Sequence, residues 1–231
     1  MSTRFSIDVG EGVAVTAVRY PARSKGAAKG APVLVLAHGA GAPQSHPFMV
    51  AAAEGLASRG VTVVTFDFVY TEKKKKLPDK APRLESCWRA VLHAVRAREP
   101  GVAILIGGKS MGGRIASHIA AGEAAEGGIV GLVFLGYPLH PPAKPAQLRA
   151  AHLPSVRAPM LFVQGEKDAF GTPAELAPVL AAIPHARVVV VPGGDHSFKV
   201  PKRGGGPTQE DVMARALDAV ATFARERANA S

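Results

Sequence analysis

Six apolar, β-branched runs recur along this chain with helix-length segments between most of them, and no other feature restricts its fold so strongly. The runs are VLVLAHG (Val33 to Gly39), VTVVTFDF (Val61 to Phe68), VAILIGG (Val102 to Gly108), IVGLVFLGYP (Ile129 to Pro138), MLFVQG (Met160 to Gly165) and RVVVVPGG (Arg187 to Gly194). Continuous apolar runs of about four to eight residues predict strands covered on both faces, as in a parallel sheet. Helices are expected over Pro47 to Arg59, Pro82 to Arg98, Met111 to Gly122, Thr172 to Ile183 and Thr208 to Ala228. Gly60 and Gly122 supply stops, and Pro173 and Pro207 supply starts. Such alternation gives a sheet between two helical layers. At the N-terminus, RFSIDV and VAVTAVRY flank GEG and predict an antiparallel pair at one edge. The expectation is one α/β domain over residues 1–231, with about eight mostly parallel strands. Its PARSKGAAKGAP stretch (Pro21 to Pro32) reads as a short flexible connection rather than a domain boundary.

Composition removes several classes of function. A chain of 231 residues, 47% hydrophobic and 20% charged, suits a single soluble domain. No apolar run approaches the ~20 residues that span a bilayer, so no membrane partner is expected. MSTRFSIDVGEG has no apolar h-region and does not read as a secretory signal. The single cysteine, Cys87, permits no internal disulfide and fits a reducing, cytoplasmic setting. A net charge of +10 raises the question of nucleic acid, but most cations are scattered singly. The exception is EKKKKLPDK (Glu72 to Lys80), where only Tyr70 supplies a nearby aromatic. Without interleaved aromatics or a reading helix, nucleic acid is not expected as a partner. The run reads as a solvated loop, with an anion-attracting lip as the alternative.

Chemistry in open parallel sheets sits at the carboxyl ends of strands, and three of those ends are unusual here. In the first, Gly108-Lys109-Ser110-Met111-Gly112 matches G-x-S-x-G where a strand meets a helix. A serine on so sharp a turn needs small neighbours two residues away, and it sits where helix N–H groups favour a developing oxyanion. In the second, His38-Gly39-Ala40-Gly41 has the form of an oxyanion loop, with the amides of Ala40 and Met111 as the expected donors. His38 is expected to orient that loop. In the third, EKDAFGTP and DHSFKV offer Asp168 and His196 past successive strand ends. The order Ser110, Asp168, His196 is that of α/β-hydrolases. Asp195 adjoins His196 too closely in sequence to orient its ring easily, and Glu166 is a further competitor.

On these motifs the chain resembles an α/β-hydrolase over essentially its whole length, and in particular the dienelactone-hydrolase-like group. More narrowly, AHGAGAPQSHPFM, GGKSMGGRIAS, GYPLHPP and FVQGEKDAFG are similar to the small lidless hydrolases related to an animal testis-expressed protein and to a histone-acetylation-complex subunit. The resemblance implies a hydrolase with no metal and no organic cofactor. Dienelactone hydrolases usually carry a cysteine nucleophile, and this chain has Ser110 in its place.

The stretch PLHPPAKP is too proline-rich for a helical cap, so an open mouth is expected. Its lining should include Gly39 and Gly41, then Tyr137, Pro138, Leu139 and His140, and Phe170 from the next strand end; His46 is a further candidate contact. Trp88 and Cys87 read as helix packing, and His93 and His118 lack partners at metal-ligand spacing. The expected function is a serine hydrolase acting on small-molecule esters, thioesters or amides. The alternative is a binding or scaffold protein that keeps the fold with little turnover. The residues carry no signal for oligomeric state.

Overall fold

A computed structural model describes residues 1–23, 30–122, 128–201 and 206–230. Residues 24–29, half of the connection expected at Pro21 to Pro32, lie outside the described residues. Chain order is β1 (Thr3–Asp8), β2 (Ala14–Tyr20), β3 (Val33–Ala37), α1 (Pro47–Ala57), β4 (Thr62–Phe66), α2 (Val69–Glu72), α3 (Ala81–Arg98), β5 (Ile104–Lys109), α4 (Met111–Gly122) and β6 (Ile129–Leu135). A single 3₁₀ turn (Leu153–Ser155) precedes β7 (Met160–Gly165), α5 (Pro173–Leu180), β8 (Ala186–Val191) and α6 (Gln209–Asn229). The eight strands form one sheet in the order β1-β2-β4-β3-β5-β6-β7-β8. β2 runs antiparallel to both β1 and β4, and the pairs from β4 to β8 are parallel.

Alternation along each central strand feeds two cores. In β3, Val33, Val35 and Ala37 face one cluster, while Leu34 and Leu36 face the other. The first packs under α3, α4 and α5 through residues such as Trp88, Ile115 and Leu176. The second packs under α1 and α6 through Met49, Leu56, Val220 and Phe223. Trp88 and Cys87 are buried in the first core as the helix pattern predicts, and burial pushes the Cys87 thiol up to about 12.

Two features depart from the sequence reading. β8 is an edge strand, so Val188 and Val190 keep 37% and 44% of their surface exposed rather than being covered on both faces. The residues after β4 form the short helix α2, whose Val69 and Tyr70 turn inward. No helix rises between β6 and the 3₁₀ turn, so nothing helical covers the strand ends there.

Candidate active site

The turn from β5 into α4 holds Ser110 at φ +50°, a left-handed conformation that costs a non-glycine residue energy. Ser110 N–H donates to the Leu135 carbonyl at 3.2 Å, and its own carbonyl accepts from Arg114 N–H at 3.1 Å. The flanking glycines are required by contact with β3. A Cβ on Gly108 would lie 2.5 Å from the Ala37 oxygen, and one on Gly112 would lie 2.5 Å from the oxygens of both Ala37 and His38.

His196 arrives from the loop after β8. Its Nε2 lies 2.8 Å from Ser110 Oγ, and its Nδ1 lies 2.9 and 2.7 Å from the two Asp168 oxygens. Asp168 is buried, and it accepts further hydrogen bonds from Gln164 Nε2 at 2.9 Å and Phe170 N–H at 2.8 Å. These bonds hold one oxygen each and keep the carboxylate against the imidazole. Phe170 packs on the His196 ring, with centroids 4.2 Å apart. The competitors are occupied elsewhere. Asp195 Oδ1 accepts from the N–H groups of Ser197 and Lys199 within its own loop, and Glu166 accepts from Gly193 N–H.

The loop after β3 is held from below. His38 is buried, with Nδ1 2.7 Å from the Gly39 carbonyl, while Nε2 accepts from Phe68 N–H at 3.2 Å. That network assigns the proton to Nδ1, and burial pushes the imidazole pKa down, so His38 is a neutral strut. Tyr70 Oη donates to the Ala40 carbonyl at 3.1 Å. These contacts take the carbonyls and leave the amides: among the described residues neither Ala40 N–H nor Met111 N–H has a hydrogen-bond partner.

Gly39, Ala40, Gly41, Ser110, Met111, Phe170 and His196 all border one cleft of about 1110 Å³. Three residues expected at its mouth do not. Tyr137 is buried against Phe134 and Phe162 and donates its hydroxyl to the Arg149 carbonyl at 2.7 Å; burial lifts its pKa to about 12. Leu139 is buried in the core. His140 is tucked back, its Nδ1 2.9 Å from the Pro141 carbonyl and its Nε2 3.3 Å from Glu175. The cause is Gly136 at φ +71°, which turns the chain so that Pro138 borders the cleft instead. His46 does reach the cleft, and its ring also caps α1 by accepting from Phe48 N–H.

The sequence reading missed Lys109, Arg114, Arg149 and Lys199, which also border the cleft. Lys109 Nζ donates to the His196 carbonyl at 2.6 Å, and burial lowers its pKa to about 8 against the opposing pull of Asp168 and Asp195. Its place between Gly108 and Ser110 was the available signal. Lys73 to Lys76 are exposed, and the cleft reaches Pro78 and Asp79 beyond them. Among the described residues, no three His, Cys, Asp or Glu side chains cluster as metal ligands would, and no helix is long and apolar enough to cross a membrane.

Comparison with known proteins agrees with this architecture. The family model for an alpha/beta hydrolase domain matches residues 30–225. A lidless α/β serine hydrolase from Xanthomonas campestris superposes with a TM-score of 0.71 at 19% identity, covering 98% of this chain and 93% of that one. Est1E from Butyrivibrio proteoclasticus, in its ferulic-acid-bound structure, gives 0.75 at 17% identity, with 96% and 98% covered. A dienelactone hydrolase from Anabaena variabilis gives 0.69 at 22% identity, with 98% and 95% covered. With its mostly parallel eight-stranded sheet, helices on both faces and, among the described residues, no lid, the chain belongs to the α/β-hydrolase family.

Proposed function

We propose that this protein is a serine hydrolase, a carboxylic-ester hydrolase in the first instance, that cleaves esters, thioesters or amides of small molecules through an acyl-enzyme. The observation that carries the reading is the chain of contacts from Ser110 Oγ through His196 to buried Asp168, opening onto a cleft. In this scheme His196 Nε2 takes the proton as Ser110 Oγ bonds to the substrate carbonyl carbon. Asp168 holds the other ring nitrogen and stabilises the imidazolium. The carbonyl oxygen becomes an oxyanion, and the unpaired amides of Ala40 and Met111 are its donors; one such donor is typically worth about 10²–10³ in rate. Collapse breaks the bond to the leaving group, which departs with the proton from His196. Water, deprotonated by the same imidazole, then releases the acid and restores Ser110. The scheme uses side chains, backbone and water alone.

The narrower likeness to lidless hydrolases related to a testis-expressed protein and an acetylation-complex subunit belongs to the same proposal, and with it the alternative of a scaffold that turns over little. Stopped-flow hydrolysis of p-nitrophenyl acetate separates the two. An acyl-enzyme gives a burst of one p-nitrophenol per Ser110 before the steady state. Neither burst nor steady turnover would favour the scaffold.

A further inference from the structure

The cationic residues bordering the cleft, Lys109, Arg114, Arg149 and Lys199, face a single lining carboxylate, Asp79. Lys109 is committed to the His196 carbonyl, and Asp79 lies 3.8 Å from Arg83. Arg114 and Arg149 are not committed. Among the described residues neither guanidinium makes an ion pair or a side-chain hydrogen bond, and Arg114 Nε is buried without a partner. Glu85, the carboxylate that acts on Arg114 from α3, is already 3.0 Å from His118 Nδ1 and 3.9 Å from Arg89. Burial, and then the like charge of Arg149, push the Arg114 pKa down. Two adjacent cations, one of them poorly solvated and unpaired, raise the energy of the empty cleft. A bound oxyanion would relieve both penalties, and the planar guanidinium fork matches a carboxylate in two-point contact.

We propose that Arg114 and Arg149 together bind a carboxylate of the substrate, so that the preferred substrates are half-esters or half-thioesters of dicarboxylic acids. The proposal rests on the serine-hydrolase reading and names its substrate class. Reach sets the length of the acid. Arg114 lies four residues beyond Ser110 on α4, about 6 Å along the axis, and its side chain extends further. The carboxylate therefore sits several bonds from the ester carbonyl, as in glutarate and adipate. This differs from an attraction by Lys73 to Lys76, which do not border the cleft.

The test uses monoethyl glutarate and monoethyl adipate beside the neutral ethyl pentanoate and ethyl hexanoate. Calorimetric titration of the Ser110→Ala protein reads binding without turnover. The half-esters should bind at least 10-fold more tightly than their neutral counterparts, and Arg149→Gln should remove on the order of 10- to 100-fold of that preference, as expected for a charge-assisted pair. Arg149→Lys, which keeps the charge and loses the fork, should fall between them. With Ser110 intact, the ratio of kcat/KM for half-ester over neutral ester should drop in the Arg149 variants, mainly through KM. Equal binding of charged and neutral esters, or an Arg149→Gln effect identical on both, would overturn the carboxylate site while leaving the hydrolase reading in place. Tight, Arg149-dependent binding of the half-esters with no hydrolysis of any ester would do the reverse.

Discussion

Two serine–histidine pairs, one at the turn that enters α4 and one in its second turn, are equally close, yet only one has the makings of a nucleophile. Ser110 Oγ is 2.8 Å from His196, and Ser117 Oγ is 2.7 Å from His152. Ser110 stands on a strained turn beside the cleft, and its imidazole is aligned by Asp168. Ser117 is buried within the helix and also lies 2.7 Å from the Arg114 carbonyl, which takes its one proton. His152 Nε2 must then donate to Ser117, the opposite of a general base. Burial, helped by His118 and Arg114, lowers the His152 pKa to about 4 and keeps it neutral. Proximity of a hydroxyl to an imidazole is therefore common packing chemistry. Backbone strain, a carboxylate on the second nitrogen and access to a cleft separate the two pairs.

Substitutions at matched positions should break that comparison open. Ser110→Ala is expected to lower ester kcat by about 10⁴- to 10⁶-fold, the range that follows loss of a triad nucleophile. Asp168→Asn should cost about 10³- to 10⁴-fold in kcat with the fold retained, because the amide holds the wrong tautomer. Gly112→Ala should destabilise by about 1–3 kcal/mol or more in urea unfolding, since its Cβ meets two backbone oxygens at 2.5 Å. Gly41→Ala, with nothing within 4 Å, should stay within about 0.5 kcal/mol. Ser117→Ala should cost about 1 kcal/mol of stability and leave ester kcat unchanged. A large kcat loss at Ser117 with none at Ser110 would invert the roles of the two pairs.

The remaining effect is one of pH dependence and concerns Lys109. Its pKa is about 8 when folded against an ordinary value of 10.5, so between those limits the unfolded chain binds more protons than the folded one. Stability contributed by this residue therefore rises as pH increases from about 8 to 10.5. Lys109→Gln should flatten that part of the thermal-midpoint profile, and an unchanged slope would place the ammonium in solvent.

The sheet was legible because its strands are continuous apolar runs, and the elbow because Gly108 and Gly112 bracket a serine at a strand end. Asp168 was separable from Asp195 only by position, and the structure supplies the reason: Asp195 is spent on the amides of Ser197 and Lys199. Tyr137 and His140 were misplaced because a motif locates a loop but not the side to which it turns, which Gly136 decides through φ +71°. Edge exposure of β8 escaped notice because strand order is a long-range property. Arg114 and Arg149 look like any scattered cations until the fold brings them to one wall.

The most direct measurement of the central claim is labelling with a fluorophosphonate, followed by peptide mapping. The account predicts one adduct per chain, on the peptide carrying Ser110, with a rate that collapses in His196→Ala and is untouched in Ser117→Ala. An adduct on Ser117, or no adduct on a folded protein, would contradict it.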